Sequence, residues 1–152
     1  MDSETRFLIA NNITQERSVE DAMQIFNKSK SVAGRPDIVI TDGLQAYNKA
    51  IRYEFRTAKL PNTKHVRLES IRSHVNNNKV ERYHNTFRER DKVMRGFKSQ
   101  KTLSEMSDAF RAYYNYIRPH MTLGMTPAKR AGIDLKLNGN RWEDLLRMSI
   151  KK

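Results

Sequence analysis

The sequence predicts an α/β domain, and three features in succession predict it. The β-branched apolar run Ile38-Val39-Ile40 is closed by Thr41-Asp42-Gly43. Apolar residues at helical spacing follow from Leu44 to Phe55, and the strand-like stretch His65 to Leu68 comes next. Strand, helix, strand is a β-α-β pass. A chain of 152 residues buries one hydrophobic core but not two independent ones, so one domain is expected.

Taken in order, Thr5 to Ile13 is rich in β-formers around Phe7, Leu8 and Ile9 and reads as a short strand. Ser18 and Asp21 have capping-box spacing, and Val19, Ala22, Met23 and Phe26 share a helical face, which predicts a helix to about Ser31. Gly34 and Pro36 end it. Ile38 to Ile40 reads as a buried strand with Asp42 at its C-terminal end. Leu44, Tyr47, Ala50, Ile51 and Phe55 predict the second helix, and Pro61 marks a break before the second strand of the pass. Ser70 to Asn78 is polar and aperiodic and reads as a mobile loop.

A long helix is expected from about Asn78 to Phe97, with Val80, Tyr83, Phe87, Met94 and Phe97 as its apolar stripe. Thr102 and Glu105 form a capping pattern for a further helix that turns Leu103, Met106, Phe110, Tyr113 and Ile117 inward and stops at Arg118-Pro119. Thr126 and Pro127 suit the start of a short helix, and Trp142, Leu145, Leu146 and Ile150 predict a last one.

Composition narrows the chemistry. The chain has no cysteine, which excludes disulfides, thiolate zinc sites and cysteine nucleophiles and leaves carboxylates and imidazoles as metal ligands. A net charge of +12 predicts a polyanionic partner. No apolar run approaches a membrane span, and the start of the chain lacks a secretory leader, so no membrane partner is expected.

On the long helix, Glu81, Arg88, Lys92 and Arg95 fall on the face opposite the apolar stripe, with His84 beside them. Cations at i,i+4 repel, and an outside anion would relieve them; a solvated basic face explains the same pattern about as well. Asp42 at a strand's C-terminal end lies where open α/β sheets place ligands, although Asp-Gly is also an ordinary turn dipeptide. Asp42 and Glu81 together could hold hard cations on phosphate. His65, His74, His84 and His120 show no zinc-ligand spacing, and surface or DNA-facing roles fit them better. Tyr113 reads as core, Tyr114 and Tyr116 less so.

Three blocks carry a family resemblance. IVITDG (38–43), NNNKVERYHNTFRER (76–90) and YNYIRPHMTLGMTPA (114–128) resemble, in order and spacing, successive parts of the DDE transposase and integrase core, nearest to the group-six insertion-sequence transposases. The resemblance implies an RNase H-like fold over residues 1–128 with a C-terminal helical tail over 129–152. It implies Asp42 as the second catalytic and metal-binding acid and Glu81 as the third. It implies magnesium or manganese as cofactor, and Arg88, seven residues past Glu81, as a phosphate contact. Lys92, Arg95 and His84 are expected beside Arg88 on DNA. Asn77 and Asn78 fall in the family's Asn-rich approach to the catalytic helix.

The N-terminal stretch MDSETRFLIA resembles the family's second and third strands, and Asp2 is not a convincing match to the first acid. The strand bearing that acid is therefore expected to be missing, which leaves the two-metal site incomplete. The partners implied are transposon ends, target DNA and further copies of the intact protein, in a prokaryotic cytoplasm at the nucleoid. The reading is a transposase that cleaves and transfers DNA strands; the alternative is a non-catalytic DNA-binding remnant, and an unrelated basic RNA-binding protein is the distant third.

Overall fold

The computed structural model describes residues 1–58, 62–68 and 77–150. The expected loop over 70–78 lies outside the described residues except for its last two, as does Pro61. The element order is α1 (Val19–Ala33), β1 (Ile38–Thr41), α2 (Gln45–Phe55), β2 (Lys64–Arg67), α3 (Asn78–Val93), α4 (Gln100–Ala112), a π-helical turn (Tyr113–Ile117), α5 (Pro127–Arg130) and α6 (Arg141–Ile150). The chain is mixed α/β, and its described strands form one two-stranded parallel sheet. Two compact units are present, one of Ile9–Ser104 and one of Met1–Leu8 with Glu105–Lys152.

In the first unit, α1 starts on the expected capping box: Ser18 Oγ accepts from the Asp21 N–H at 3.1 Å, and Asp21 accepts from the Ser18 N–H at 3.2 Å. Satisfying two otherwise orphaned donors fixes where the helix begins. Its inner face packs on α2 through Phe26, which meets Tyr47 and Phe55 edge-on at 5.9 and 5.7 Å. Ala22, Ala50, Ile51 and Phe55 are buried there. The exposed carbonyls at the end of α2 are capped by cations, with Lys30 Nζ donating to Glu54 O at 2.6 Å and Arg35 Nε to Phe55 O at 3.0 Å. Positive charge is favoured at that negative end of the helix dipole.

β1 and β2 pair with Ile38 opposite Lys64 and Thr41 opposite Arg67. Val39 and Thr41 project to one face and Ile38 and Ile40 to the other, because strand side chains alternate. Ile38 is 55% and Ile40 37% exposed, so β1 is not buried on both faces as its apolar run predicts. The run reads as a central strand, yet among the described residues it has one strand neighbour.

α3 ends at Val93, short of the expected Phe97. The Gly96 N–H donates to Asp91 O and the Arg95 N–H to Lys92 O, both at 3.1 Å, with Arg95 left-handed at φ 59°. This is a Schellman ending, in which the left-handed position usually belongs to glycine and here is filled by Arg95. Met94 is consequently exposed rather than part of the apolar stripe, while Tyr83 is buried and Phe87 stacks on Phe97 at 6.2 Å.

The expected strand at 5–13 is not formed: residues 6–13 have no regular secondary structure, and a turn over residues 3–5 precedes them. Asp2 Oδ1 accepts from the Thr5 N–H at 2.7 Å, the Thr5 hydroxyl at 2.6 Å and the Glu4 N–H at 3.2 Å. The Asp2 N–H closes the loop on Phe7 O at 2.9 Å, with Arg6 left-handed at φ 59°. A short polar side chain that binds its own following backbone competes with strand formation.

α4 is capped by Ser99, whose Oγ accepts from the Thr102 N–H at 3.1 Å, and not by Thr102 as its spacing with Glu105 implied. Its last turn widens into the π-helix, which shifts the helical phase. Tyr114 and Asn115 are therefore buried, while Tyr113 is only half-buried and stacks on Trp142 at 6.3 Å. Asn115, 1% exposed, binds the backbone of Leu8 twice: its Oδ1 accepts from the Leu8 N–H at 2.9 Å and its Nδ2 donates to Leu8 O at 3.0 Å. The amide stands where a neighbouring strand would. Among the described residues, no helix is long and apolar enough to cross a membrane.

Two outcomes follow from these anchors. Asn115→Ala leaves a buried N–H and C=O of Leu8 without partners, and urea titration is expected to show a loss of about 2–4 kcal/mol. Arg95→Gly relieves the left-handed residue and is expected to raise stability by about 1 kcal/mol in the same measurement; a loss would show that the Arg95 side chain makes up for its backbone strain.

Candidate functional site

Asp42 follows β1 directly, and its position is set by a polar network beneath it. Thr41, buried at the strand end, places Oγ1 2.8 Å from His65 Nε2 on β2. His65 Nδ1 in turn lies 2.8 Å from Asn48 Oδ1 on α2. An amide oxygen only accepts, so His65 carries its proton on Nδ1 and accepts the Thr41 hydroxyl at Nε2. Thr41 Oγ1 is then free to accept from the Gly43 N–H at 3.3 Å. One chain of donors thus runs from the turn after Asp42 through both strands to α2. Burial, then the neighbouring Arg67 guanidinium, hold the His65 imidazole below its ordinary pKa, which keeps the neutral form that this geometry needs.

Backbone contacts lock the same turn. The Leu68 N–H donates to Thr41 O at 3.0 Å, and Arg67 donates to Gly43 O at 3.1 Å. Gly43 takes φ 91°, a conformation open to glycine at little cost. The Asp42 carboxylate is exposed and accepts a long bond from the Leu44 N–H at 3.4 Å. It therefore does the local work of a turn aspartate while remaining open to a ligand. Burial raises the Tyr47 phenol and the Asp42 charge raises it further, against an opposing effect of Arg17, which places Tyr47 and Arg17 in the Asp42 environment.

Glu81 lies in the first turn of α3, exposed, where the positive end of the helix dipole favours a carboxylate. His84 and Arg88 continue its face. Partial burial first, and then Arg88, lower the His84 pKa, with Glu81 opposing, so these three side chains act on one another. Lys92 forms an ion pair with Glu89 at 2.7 Å, and Arg95 stands beyond the helix end in the Schellman turn. The helical period that grouped Arg95 with Arg88 does not extend to it.

A two-metal centre needs at least three carboxylate or imidazole ligands converging. Among the described residues no three His, Asp or Glu side chains come together as a metal-ligating group. Asp2 is engaged in its own turn, where Thr5 and Glu4 hydrogen bonds lower its pKa despite the opposing effect of partial burial. Asp37 precedes β1 and so lies at the opposite end of the strand from Asp42, roughly 16 Å away at the rise of an extended chain. The donor set among the described residues does not fit a two-metal centre.

The residues that sequence reasoning missed are Thr41, His65 and Asn48. His65, half-buried, links strand and helix, a role visible only once the parallel register brings β1 beside β2.

Compared with protein families, residues 1–120 match the DDE domain of IS240-type transposases. No curated protein and no solved structure gives a significant match.

The network has a pH signature. The folded pKa of His65 lies below its unfolded value, so its contribution to stability is full above about pH 6.5 and falls as the pH drops through the folded value. Urea midpoints at pH 7.5 and pH 5 are expected to show this loss. His65→Gln should remove its share of the slope and leave the share of His84, whose pKa is lowered in the same direction.

Proposed function

Because the chain belongs to the family of DDE domains of IS240-type transposases, whose role is in transposition, we propose that it acts on DNA phosphodiesters as part of an RNase H-like strand-transfer domain. In this reading the domain spans residues 1–128 with a helical tail over 129–152, and it works on transposon ends and target DNA in a homo-oligomer. Asp42 and Glu81 are the second and third acids of its centre. Among the described residues no third acid joins them, so the centre is incomplete, and magnesium or manganese would supply Lewis acidity only where the set is complete. Arg88 holds the DNA backbone beside Glu81, with His84 against both. The observation that carries this reading is the anchored turn: a network through three elements fixes an exposed aspartate at a strand end, and the family match covers both it and the helix that presents Glu81 and Arg88.

A second reading, a chain that binds DNA without cutting it, draws support from Asp2 and Asp37. Asp2 Oδ1 is engaged in a local turn, and Asp37 lies at the far end of β1 from Asp42 and cannot join it.

Both readings require salt-sensitive binding to duplex DNA. In anisotropy titrations log K is expected to fall linearly with log[salt], by roughly 0.9 per phosphate contacted. Arg88→Ala should reduce the slope by about one unit at unchanged thermal midpoint. Asp42→Ala should leave binding intact, since removing a negative charge does not weaken attraction to phosphate. A flat salt response would exclude both readings. Strand transfer by this chain with magnesium, lost in Asp42→Ala, would exclude the second.

A further inference from the structure

The last helix is well anchored and poorly covered. α6 starts on Asn140, whose Oδ1 accepts from the Glu143 N–H at 3.3 Å, and Asp144 Oδ2 accepts from the Asn138 N–H at 2.7 Å. Arg141 Nη1 donates to Ile117 O at 2.6 Å, and the Trp142 ring stacks on Tyr113 at 6.3 Å. These contacts hold one side of the helix on the π-turn, yet none of its ten residues is buried. Trp142, Leu146 and Ile150 recur every fourth residue and so form one stripe, 44%, 58% and 79% exposed. Large apolar side chains left in water forgo the stabilisation that burial brings, and a stripe of them marks a surface for a partner.

The charges along the stripe identify the partner. The chain carries a net charge of +12, but within α6 Arg141 and Arg147 are balanced by Glu143 and Asp144. A polyanion finds no excess of cations there. Glu143 and Arg147, both exposed and paired at 2.7 Å, lie one turn apart along one flank of the stripe, the acid nearer the start of the helix and the base nearer its end. Beside a second copy of the same helix running the opposite way, this flank meets its own reverse. Glu143 of each copy then stands by Arg147 of the other, Trp142 of each faces Ile150 of the other, and the two Leu146 side chains meet at the centre.

We propose that α6 is a homodimer interface in which the Trp142, Leu146 and Ile150 stripes of two copies pack antiparallel about a two-fold axis. Such a contact uses the same patch on both copies and so demands a surface complementary to itself, which an apolar stripe with an acid and a base at opposite ends of one flank provides. The antiparallel orientation is the one that sets acid against base. Two helices of about 15 Å bury less than the roughly 1,600 Å² of a standard interface, so the association is weak and depends on concentration. The interface gives the homo-oligomer of the functional reading its surface, and it forms without DNA.

In sedimentation equilibrium over a concentration series, the full chain is expected to form dimers, more strongly as salt rises, because salt screens the repulsion between two copies of charge +12. DNA binding weakens with salt, so the two associations move in opposite directions. Leu146→Gln changes an exposed position and should weaken dimerisation about tenfold or more at unchanged thermal midpoint. Glu143→Arg and Arg147→Glu each place like charges at both ends of the flank, so each variant alone should dimerise less than wild type. An equimolar mixture of the two should recover a dimer with one copy of each. A chain that stays monomeric at every concentration and salt, a Leu146→Gln dimer as tight as wild type, or no recovery on mixing overturns the interface, whether or not DNA binds. A monomer that cosediments with phosphatidylcholine vesicles gives the stripe to lipid and overturns it as well. A dimer that binds no DNA leaves the interface standing and sinks the DNA reading.

Discussion

A parallel pair of four-residue strands has one ladder of hydrogen bonds and cannot stabilise itself, so its geometry has to be imposed by what packs on it. Here that role falls to the Thr41-His65-Asn48 chain, which ties both strands to α2, itself seated on α1 through Phe26. Everything asked of Asp42 depends on this arrangement. The turn after β1 is held by Thr41 Oγ1 on the Gly43 N–H and by Arg67 on the Gly43 carbonyl, and these set where Asp42 stands. A polar network satisfied at every member also rigidifies more than an apolar patch of the same size, since each of its bonds has a direction.

The opposite face of the sheet shows the same constraint from the other side. Ile38 and Ile40 are apolar enough for a buried strand but remain accessible, because the described chain offers them no covering layer. The unit built around Glu105–Lys152 solves a comparable problem differently. The Asn115 amide supplies a donor and an acceptor to Leu8 in place of a neighbouring strand, and the π-turn rotates it into position. In both units, side-chain amides and hydroxyls do work that a larger sheet would give to backbone.

The basic charge of the chain is not spread evenly in effect. Lys92, Lys129 and Arg147 are each matched by a nearby carboxylate, while Arg88 acts on His84, and Arg6 and Arg118 act on Tyr114. Among the described residues, the three non-glycine positions with positive φ are Arg6, Arg95 and Lys136, all cations. A left-handed residue costs about 1 kcal/mol and persists only where its surroundings impose it. At Arg6 the Asp2 turn and the Asn115 clamp impose it, and at Arg95 the Schellman ending of α3 does.

The sequence by itself determined the elements whose causes are local. Ser18 and Asp21 cap α1 because their side chains reach backbone donors three residues away, and the β-branched run of β1 and the apolar spacing of α2 specify strand and helix without distant help. The blocks around Asp42 and Glu81 likewise carried the family. Tertiary structure decided the rest, because the deciding partners are remote or compete locally. Thr5 to Ile13 has strand composition, but Asp2 captures the backbone at Glu4 and Thr5 first. The period of α3 reaches Phe97 on paper, yet its Schellman turn stops it at Val93. Tyr113 and Tyr114 exchange burial because one widened turn shifts the helical phase. His65 looked like a solvent-facing residue until parallel pairing set it between Thr41 and Asn48, 24 and 17 residues away in the chain, a proximity that no local pattern encodes.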